Sequence, residues 1–352
     1  DTGVNVYHNV FQAPGRGSPA DRIASFPGGA RELAPASTGS YDARVAADKA
    51  FWDSLKVGEF VAFRDNRIVG AISMGSLGDA MNPSSRIVLD DVGHGTGTAG
   101  AVALTAPNVD IVMVQVGAAS LANGIRWAAE QPWIDVLSIS WGTLANAPAD
   151  ALGGDLVDAT RAAAAAGKLV IVSAGNEPTL AWTDGNNGPA WVVAVGGADP
   201  ETRGETSSAS KGAEVVSDYS PALPTVNSVD AMEEMYGTSF ATPIVAGVAA
   251  EALTLVRAVG LSATADQLRT ALHQAAEYWD TTDYSVPGYI GTSQPIPVAP
   301  TPWVQMGWGY LNVEHIGPVA GALAGNAPPA KDAAAVAYMD AQMAARRAFW
   351  GS

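Results

Sequence analysis

Three short segments of this 352-residue chain each set one reactive side chain among small residues and turn formers. Gly237-Thr238-Ser239-Phe240-Ala241-Thr242-Pro243 offers a hydroxyl, Gly93-His94-Gly95-Thr96 an imidazole, and Asp1-Thr2-Gly3 a carboxylate. A serine hydroxyl is a weak nucleophile until a base takes its proton, and an imidazole is matched to that task near neutral pH. A carboxylate can then hold the imidazole in one tautomer. These are the parts of a nucleophile, base and orienter triad. A fourth segment, Ser173-Ala174-Gly175-Asn176-Glu177, follows the apolar run Leu169–Val172 and places a side-chain amide where it can donate to an oxyanion.

Taken singly, each segment has a plainer reading. Ser239 stands just before a small-residue helix expected over Ala241–Leu255, and a hydroxyl in that position is more often an N-cap than a nucleophile. The same position exposes the hydroxyl and turns its own backbone N–H toward a developing charge. Pro243 suits the first turn of that helix. Asn176 alone would be a turn residue after glycine. Of the four histidines, His273 falls in a helix-like stretch and His315 near a turn, where structural roles are favoured.

The elements that must position these side chains alternate. Strand-length apolar runs occur at Ile111–Val116, Val136–Ser140, Leu169–Val172 and Val192–Val195, with helix-like stretches at Ala122–Gln131 and Leu156–Ala166. Buried strands alternating with helices predict an α/β fold with a mostly parallel sheet flanked by helices. Active residues of such sheets collect beyond the carboxyl ends of the strands. Two regions break the rhythm. Residues from about Gln12 to Asp91 read as a long insertion containing a hairpin, Phe60–Phe63 and Ile68–Ile72, turned around Asp65-Asn66. The stretch 281–303 carries five prolines and reads as a surface loop. An Ala-rich helix, about Lys331–Phe349, forms a C-terminal extension spanning 317–352, behind a main domain spanning 1–316.

Composition narrows the function classes. The chain is 48% hydrophobic and 15% charged, enough to build a sizeable core. Its net charge of −16 repels phosphates and anionic lipid, so nucleic acid and membrane surfaces are poor partners. With no cysteine, disulfides, zinc-thiolate sites and cysteine nucleophiles are excluded. The apolar stretch Ile244–Val256 is interrupted by Glu251 and is too short to span a bilayer. The chain opens directly on Asp1, without a signal peptide.

Together, the four segments resemble the subtilisin-like serine proteases, the subtilase or peptidase S8 family. They run in that family's order: Asp, His, Ser. The Gly237 to Pro243 segment matches its nucleophile box, Gly93 to Thr96 its histidine box, Asp1 to Gly3 its aspartate box, and Asn176 its oxyanion asparagine. Ala106-Pro107, Ser140-Trp141-Gly142 and Gly307-Trp308-Gly309-Tyr310-Leu311-Asn312 add lesser likenesses, and His8 resembles a common non-catalytic histidine. The resemblance implies a three-layer subtilisin-like fold and a serine endopeptidase with Asp1, His94 and Ser239 as catalytic residues. By the same resemblance, Ser140, Trp141 and Gly142 face Ser173, Ala174 and Gly175 across the pocket for the residue before the scissile bond (P1). Glu177 at its rim would favour a basic or polar P1 group. The chemistry needs no cofactor, and structural calcium, common in relatives, has no identifiable ligand loop here. Implied partners are a polypeptide substrate and an N-terminal pro-segment outside this chain; the implied location is outside the cell.

The chain also departs from that pattern. The buried strand that ends in the family's aspartate box does not precede Asp1, and the expectation is therefore a trimmed portion of a longer precursor. Asp90 and Asp91 are alternative carboxylates, though too near His94 to fit the order. Val116 to Ser120 keeps little of the edge that pairs with substrate backbone, and residues 213–228 lack the customary Ala-Pro-Gly turn. A competing reading is a catalytically silent subtilase-fold module that binds peptides or proteins. Gly95-x-Gly97-x-x-Gly100 formally satisfies a dinucleotide fingerprint, with Arg86–Val92 as a candidate preceding strand, but no acidic residue follows at the required spacing.

Overall fold

The structure, a computed structural model, describes residues 1–75, 87–141, 149–176, 188–205, 212–279 and 306–350. By internal contacts the chain divides into two compact units: Asp1–Ile134 with Ala222–Met235, and Asp135–Pro221 with Tyr236–Ser352.

The first unit is built on a four-stranded sheet ordered β1 (Arg31–Leu33), β2 (Val61–Phe63), β3 (Ile68–Ser73) and β4 (Ile111–Gln115). Strands β2 and β3 pair antiparallel around the expected Asp65-Asn66 turn, whereas β3 runs parallel to β4 and β1 parallel to β2. The segment thus contains the expected hairpin and supplies three strands of the sheet, with β3, buried along its whole length, paired on both edges. Ahead of β2, helices α1 (Tyr41–Ala47) and α2 (Lys49–Trp52) dock through Tyr7. The Tyr7 hydroxyl donates to Asp48 at 2.8 Å and accepts from Trp52 Nε1 at 2.7 Å.

Helix α3 (His94–Thr105) follows a left-handed Gly93, and nine of its twelve residues are buried, so it has no solvent face to speak of. Three glycines make it a poor helix in isolation, and packing must hold it. Residues 87–92 form no strand, which removes the context a dinucleotide fingerprint requires. Helix α4 (Leu121–Glu130) packs on β4.

The second unit carries a five-stranded sheet. Strands β5 (Val136–Ile139), β6 (Leu169–Ser173), β7 (Val192–Asp199) and β9 (Val215–Asp218) run parallel in that order, and β8 (Gly204–Glu205) pairs antiparallel with the end of β7. Helix α5 (Ala149–Ala165) precedes β6 and begins earlier than Leu156, the expected start. A hairpin of β10 (Ala222–Pro224) and β11 (Met232–Glu234) returns to the first unit and packs on α3.

The central element of the second unit is α6 (Thr238–Ala258), against which β5, β6, β7 and β9 lie. Its 21 residues are long and apolar enough to cross a membrane, exceeding the expected stretch, but 78% of its apolar window is buried in the fold. Helix α7 (Ala265–Ala275) starts in a capping box formed by Thr264 and Gln267. Helix α8 (Ile316–Leu323) packs on α6 and α7. The stretch 281–303 lies outside the described residues.

The C-terminal helix α9 (Ala333–Trp350), N-capped by Asp332, is pinned by a buried ion cluster. Glu214, fully buried, accepts from Arg269, His273 and Arg346, the last at 2.9 Å from α9. Arg346 also donates to the carbonyls of Gly188 and Pro189, both at 2.8 Å. Burial alone would raise the Glu214 carboxyl, yet Arg269 and His273 hold it well below its ordinary 4.5. A depressed carboxylate stabilises the fold fully above its unfolded value and loses that contribution only as pH falls through the lower folded value. Arg346→Ala should lower the unfolding free energy by about 3–5 kcal/mol, since it breaks a buried pair from one side. Urea unfolding at pH 7 checks this, and a change below about 1 kcal/mol would mean the cluster does not hold α9.

Candidate active site

The first unit brings Asp1 and His94 together. The Asp1 backbone is held on the edge of β4, donating to Val114 O at 2.9 Å and accepting from Val116 N at 2.8 Å. This fixes its carboxylate, whose Oδ1 lies 2.8 Å from His94 Nδ1 and accepts from Thr2 N at 2.7 Å. The Thr98 hydroxyl, one turn along α3, lies 3.0 Å from the second oxygen, Oδ2. Bonded to a carboxylate, Nδ1 carries the imidazole proton and leaves Nε2 with the lone pair. Burial lowers the His94 pKa below its ordinary 6.5. The two segments approach so closely that a Cβ on Gly95 would stand 2.1 Å from Gly3 O, so only glycine fits there.

His8 serves structure, as its resemblance implied. Its Nδ1 accepts from Val10 N, so Nε2 donates to Ala231 O at 3.0 Å and ties the N-terminal segment to the β10–β11 hairpin. His273 belongs to the Glu214 cluster, and His315 forms a capping box with Asn312.

The second unit gathers the other segments at the carboxyl ends of β5 and β6, where a parallel sheet places its active groups. Ser239 is the second residue of α6 and is half-exposed, although Gly237, Thr238 and Phe240 around it are buried. The helix starts three residues before the expected Ala241, which puts Pro243 in the second turn and not the first. A proline there lacks the N–H that would bond Ser239 O. Ser140, just past β5, supplies the replacement, its Oγ donating to Ser239 O at 2.6 Å.

Asn176, three residues beyond β6, accepts from Thr238 N at 2.8 Å and lies 2.9 Å from Thr238 Oγ1, both through Oδ1. Two contacts to one atom identify it as the oxygen and leave Nδ2 as the donor end. Gly237 has φ +139 and its Cβ position lies 3.2 Å from that Nδ2, so a side chain there would crowd the amide. Gly175 N donates to Thr238 Oγ1 at 3.2 Å, and Ala174 N pairs with Val195 O. Ser173 Oγ donates to Trp141 O at 3.2 Å, linking the two expected pocket walls. Gly142 and Glu177 lie outside the described residues. Sequence reasoning missed Thr98, Thr2 and Thr238, whose hydroxyls orient the named groups. For Thr2 and Thr238 the signal available was their place next to Asp1 and Ser239; Thr98, one helical turn beyond His94, had none. Among the described residues, no group of three or more His, Cys, Asp or Glu could hold a metal ion.

Comparison with known proteins shows the family. A model of the subtilase family (peptidase S8) matches residues 1–294. Subtilisin DY of Bacillus licheniformis is 31% identical over 242 residues, covering 63% of this chain and 81% of that protein. Alkaline elastase YaB of Bacillus sp. (strain YaB) is 32% identical over 194 residues, 49% of this chain, and the match spans about half of that protein, 48%. Among solved structures, a lanthipeptide protease superposes with a TM-score of 0.50 at 20% identity, covering 66% of this chain and 77% of its own, which speaks for the fold alone.

The pairing of Pro243 with Ser140 is testable. Ser140→Ala should cost about 1–3 kcal/mol, because the part-buried Ser239 carbonyl loses the donor that replaces the missing N–H. In a Pro243→Ala background the restored N–H should reduce that cost by about 1 kcal/mol. Equal costs in both backgrounds, measured by urea unfolding, would disprove the compensation.

Proposed function

This chain belongs to the subtilase family and is a serine endopeptidase, and from that premise we propose that Ser239 is its nucleophile, His94 its general base, and Asp1 the orienter of that base. Asn176 Nδ2 and the Ser239 N–H form the oxyanion hole. The observation that carries this reading is the 2.8 Å bond between Asp1 Oδ1 and His94 Nδ1, which leaves Nε2 to accept the serine proton. Ser239 Oγ attacks the scissile carbonyl as Nε2 takes its proton. The imidazolium formed is stabilised by the Asp1 carboxylate and returns the proton to the leaving amine. Water then attacks the acyl-enzyme by the same route in reverse.

The remaining assignments rest on family likeness. Ser140 to Gly142 and Ser173 to Gly175 flank the P1 side chain, with the Ser140 hydroxyl contributing through the Ser239 backbone. Glu177 at the rim favours a basic or polar P1 residue, and peptides with Lys, Phe and Glu at P1 test it; indifference to P1 charge would remove Glu177 from the pocket. A pro-segment and export belong to the same reading, and the acidic, cysteine-free composition suits an extracellular enzyme.

Intact mass after a fluorophosphonate probe tests the triad directly: one adduct on the wild type and none on Ser239→Ala. No adduct on folded wild type would refute the assignment. Ser239→Ala should lower kcat by about a millionfold, and Asn176→Ala by about a hundred- to a thousandfold. The pH profile supplies a second check. Burial disfavours the charged imidazole, so the neutral base persists to lower pH and the acid limb of kcat/KM should centre below 6.5. A limb centred above 6.5 would contradict the burial of His94.

A further inference from the structure

Asp90 carries one of the most heavily bonded carboxylates in the first unit, and the proposed chemistry leaves it unused. It is 2% exposed, and both oxygens are occupied. Oδ1 accepts from the Thr2 hydroxyl at 2.9 Å, from Val92 N at 3.0 Å and from Gly93 N at 2.9 Å. Oδ2 accepts from Thr96 N at 2.8 Å and from the Thr96 hydroxyl at 2.7 Å. The network continues outward: Thr2 Oγ1 accepts from Gly95 N at 2.8 Å, and Thr96 Oγ1 from Asn5 N at 3.0 Å.

The partners are the residues on either side of the chemistry. Thr2 is the neighbour of Asp1, while Gly93, Gly95 and Thr96 bracket His94. We propose that Asp90 is a positioning residue whose carboxylate locks the backbones of Asp1 and His94 into one register, so that the imidazole meets its orienting carboxylate in a single geometry. This rests on the triad assignment above. The location suits a fixed negative charge, since the first-turn N–H groups of α3 and the positive end of its dipole face it. Asp90 is thereby excluded as the orienter itself, because its oxygens are committed to backbone and hydroxyl donors.

A merely structural role and a positioning role predict different readouts. Asp90→Asn keeps the shape and the Oδ1 contacts but turns an NH2 toward the Thr96 N–H. Expected is a fall in kcat of about 10- to 100-fold with KM unchanged, because substrate geometry is not touched but the base is misaligned. Among the described groups of the first unit, the carboxylates of Asp1 and Asp90 act on the imidazole. The Asp90 charge raises the His94 pKa, so Asp90→Asn should also move the acid limb to lower pH. Thr2→Val breaks the link to Asp1 without altering charge, and should lower kcat several-fold with the acid limb unmoved.

Nuclear magnetic resonance of His94 in a Ser239→Ala background separates this proposal from the triad assignment. The Nδ1 proton held by Asp1 should be sharp and downfield in the parent, and exchange-broadened or lost in both Asp90→Asn and Thr2→Val. That signal reads the Asp1–His94 register whether or not the parent enzyme labels with fluorophosphonate. An unchanged signal, with kcat within twofold of wild type in a folded variant, would overturn the proposal. If Asp90→Asn fails to fold, Thr2→Val decides alone, by the same criteria.

Discussion

A helix begins with N–H groups that its own backbone cannot satisfy, and both chemical segments of this chain are built on such a beginning. The start of α3 is answered by a full charge. Asp90 takes the N–H groups of Val92, Gly93 and Thr96, and Thr2 takes that of Gly95. At the start of α6 the answer is neutral, the carbonyl oxygen of Asn176 accepting from Thr238 N. The difference fits the proposed division of labour. A carboxylate beside His94 supports the positive charge that forms on the imidazole, whereas one beside Ser239 would repel the oxyanion that forms there.

Holding such ends in place requires anchoring elsewhere, since α3 is too rich in glycine to be stable by propensity. Its far end is closed by Arg67, which donates to Ala103 O at 2.5 Å and to Ala106 O. An acidic group at the start and a basic one at the end complement the helix dipole, and both are buried where solvent screens them little. The second unit uses the same economy of charge at Glu214. There Arg269 and His273 of α7 and Arg346 of α9 converge on one carboxylate, and the two arginines also donate to carbonyls at and ahead of the start of β7. Each of these buried ions is tolerated because it is hydrogen-bonded as well as paired.

Much of this was legible in the sequence, and the failures have physical causes. Strands β4 to β7 were readable because each is a strand-length run rich in Val, Ile and Leu, with β6 and β7 buried on both faces. The start of α6 was missed because Thr238 and Ser239 are cap-forming types whose helical state depends on Asn176 and Ser140, groups far away in sequence. The early start of α5 was missed because Ala149 to Asp155 carries no apolar period. Membership of β1, β2 and β3 in one sheet with β4 is a matter of non-local pairing, which local pattern does not encode. The family was easier to read than the elements, since the proposed nucleophile, base and amide each sit in a short box of few residue types. Asp90 was visible only as a rival to Asp1, because five converging bonds are a property of loop geometry and not of residue type.

The placement of Pro243 shows how the geometry around Ser239 is enforced. A regular helix would hold Ser239 O through the N–H of residue 243, tying Ser239 to its own helix and nothing else. Proline removes that bond, and Ser140 Oγ ties the carbonyl to the end of β5. Thr238, one residue earlier, is tied through Asn176 and Gly175 to the segment leaving β6. Two neighbouring parallel strands therefore grip consecutive residues of the turn. Ser239 inherits its position from the rigid sheet, and slippage of the helix along its axis would have to break both contacts at once. A helical proline, read alone as a cost in stability, thus becomes the reason that the strand can take hold.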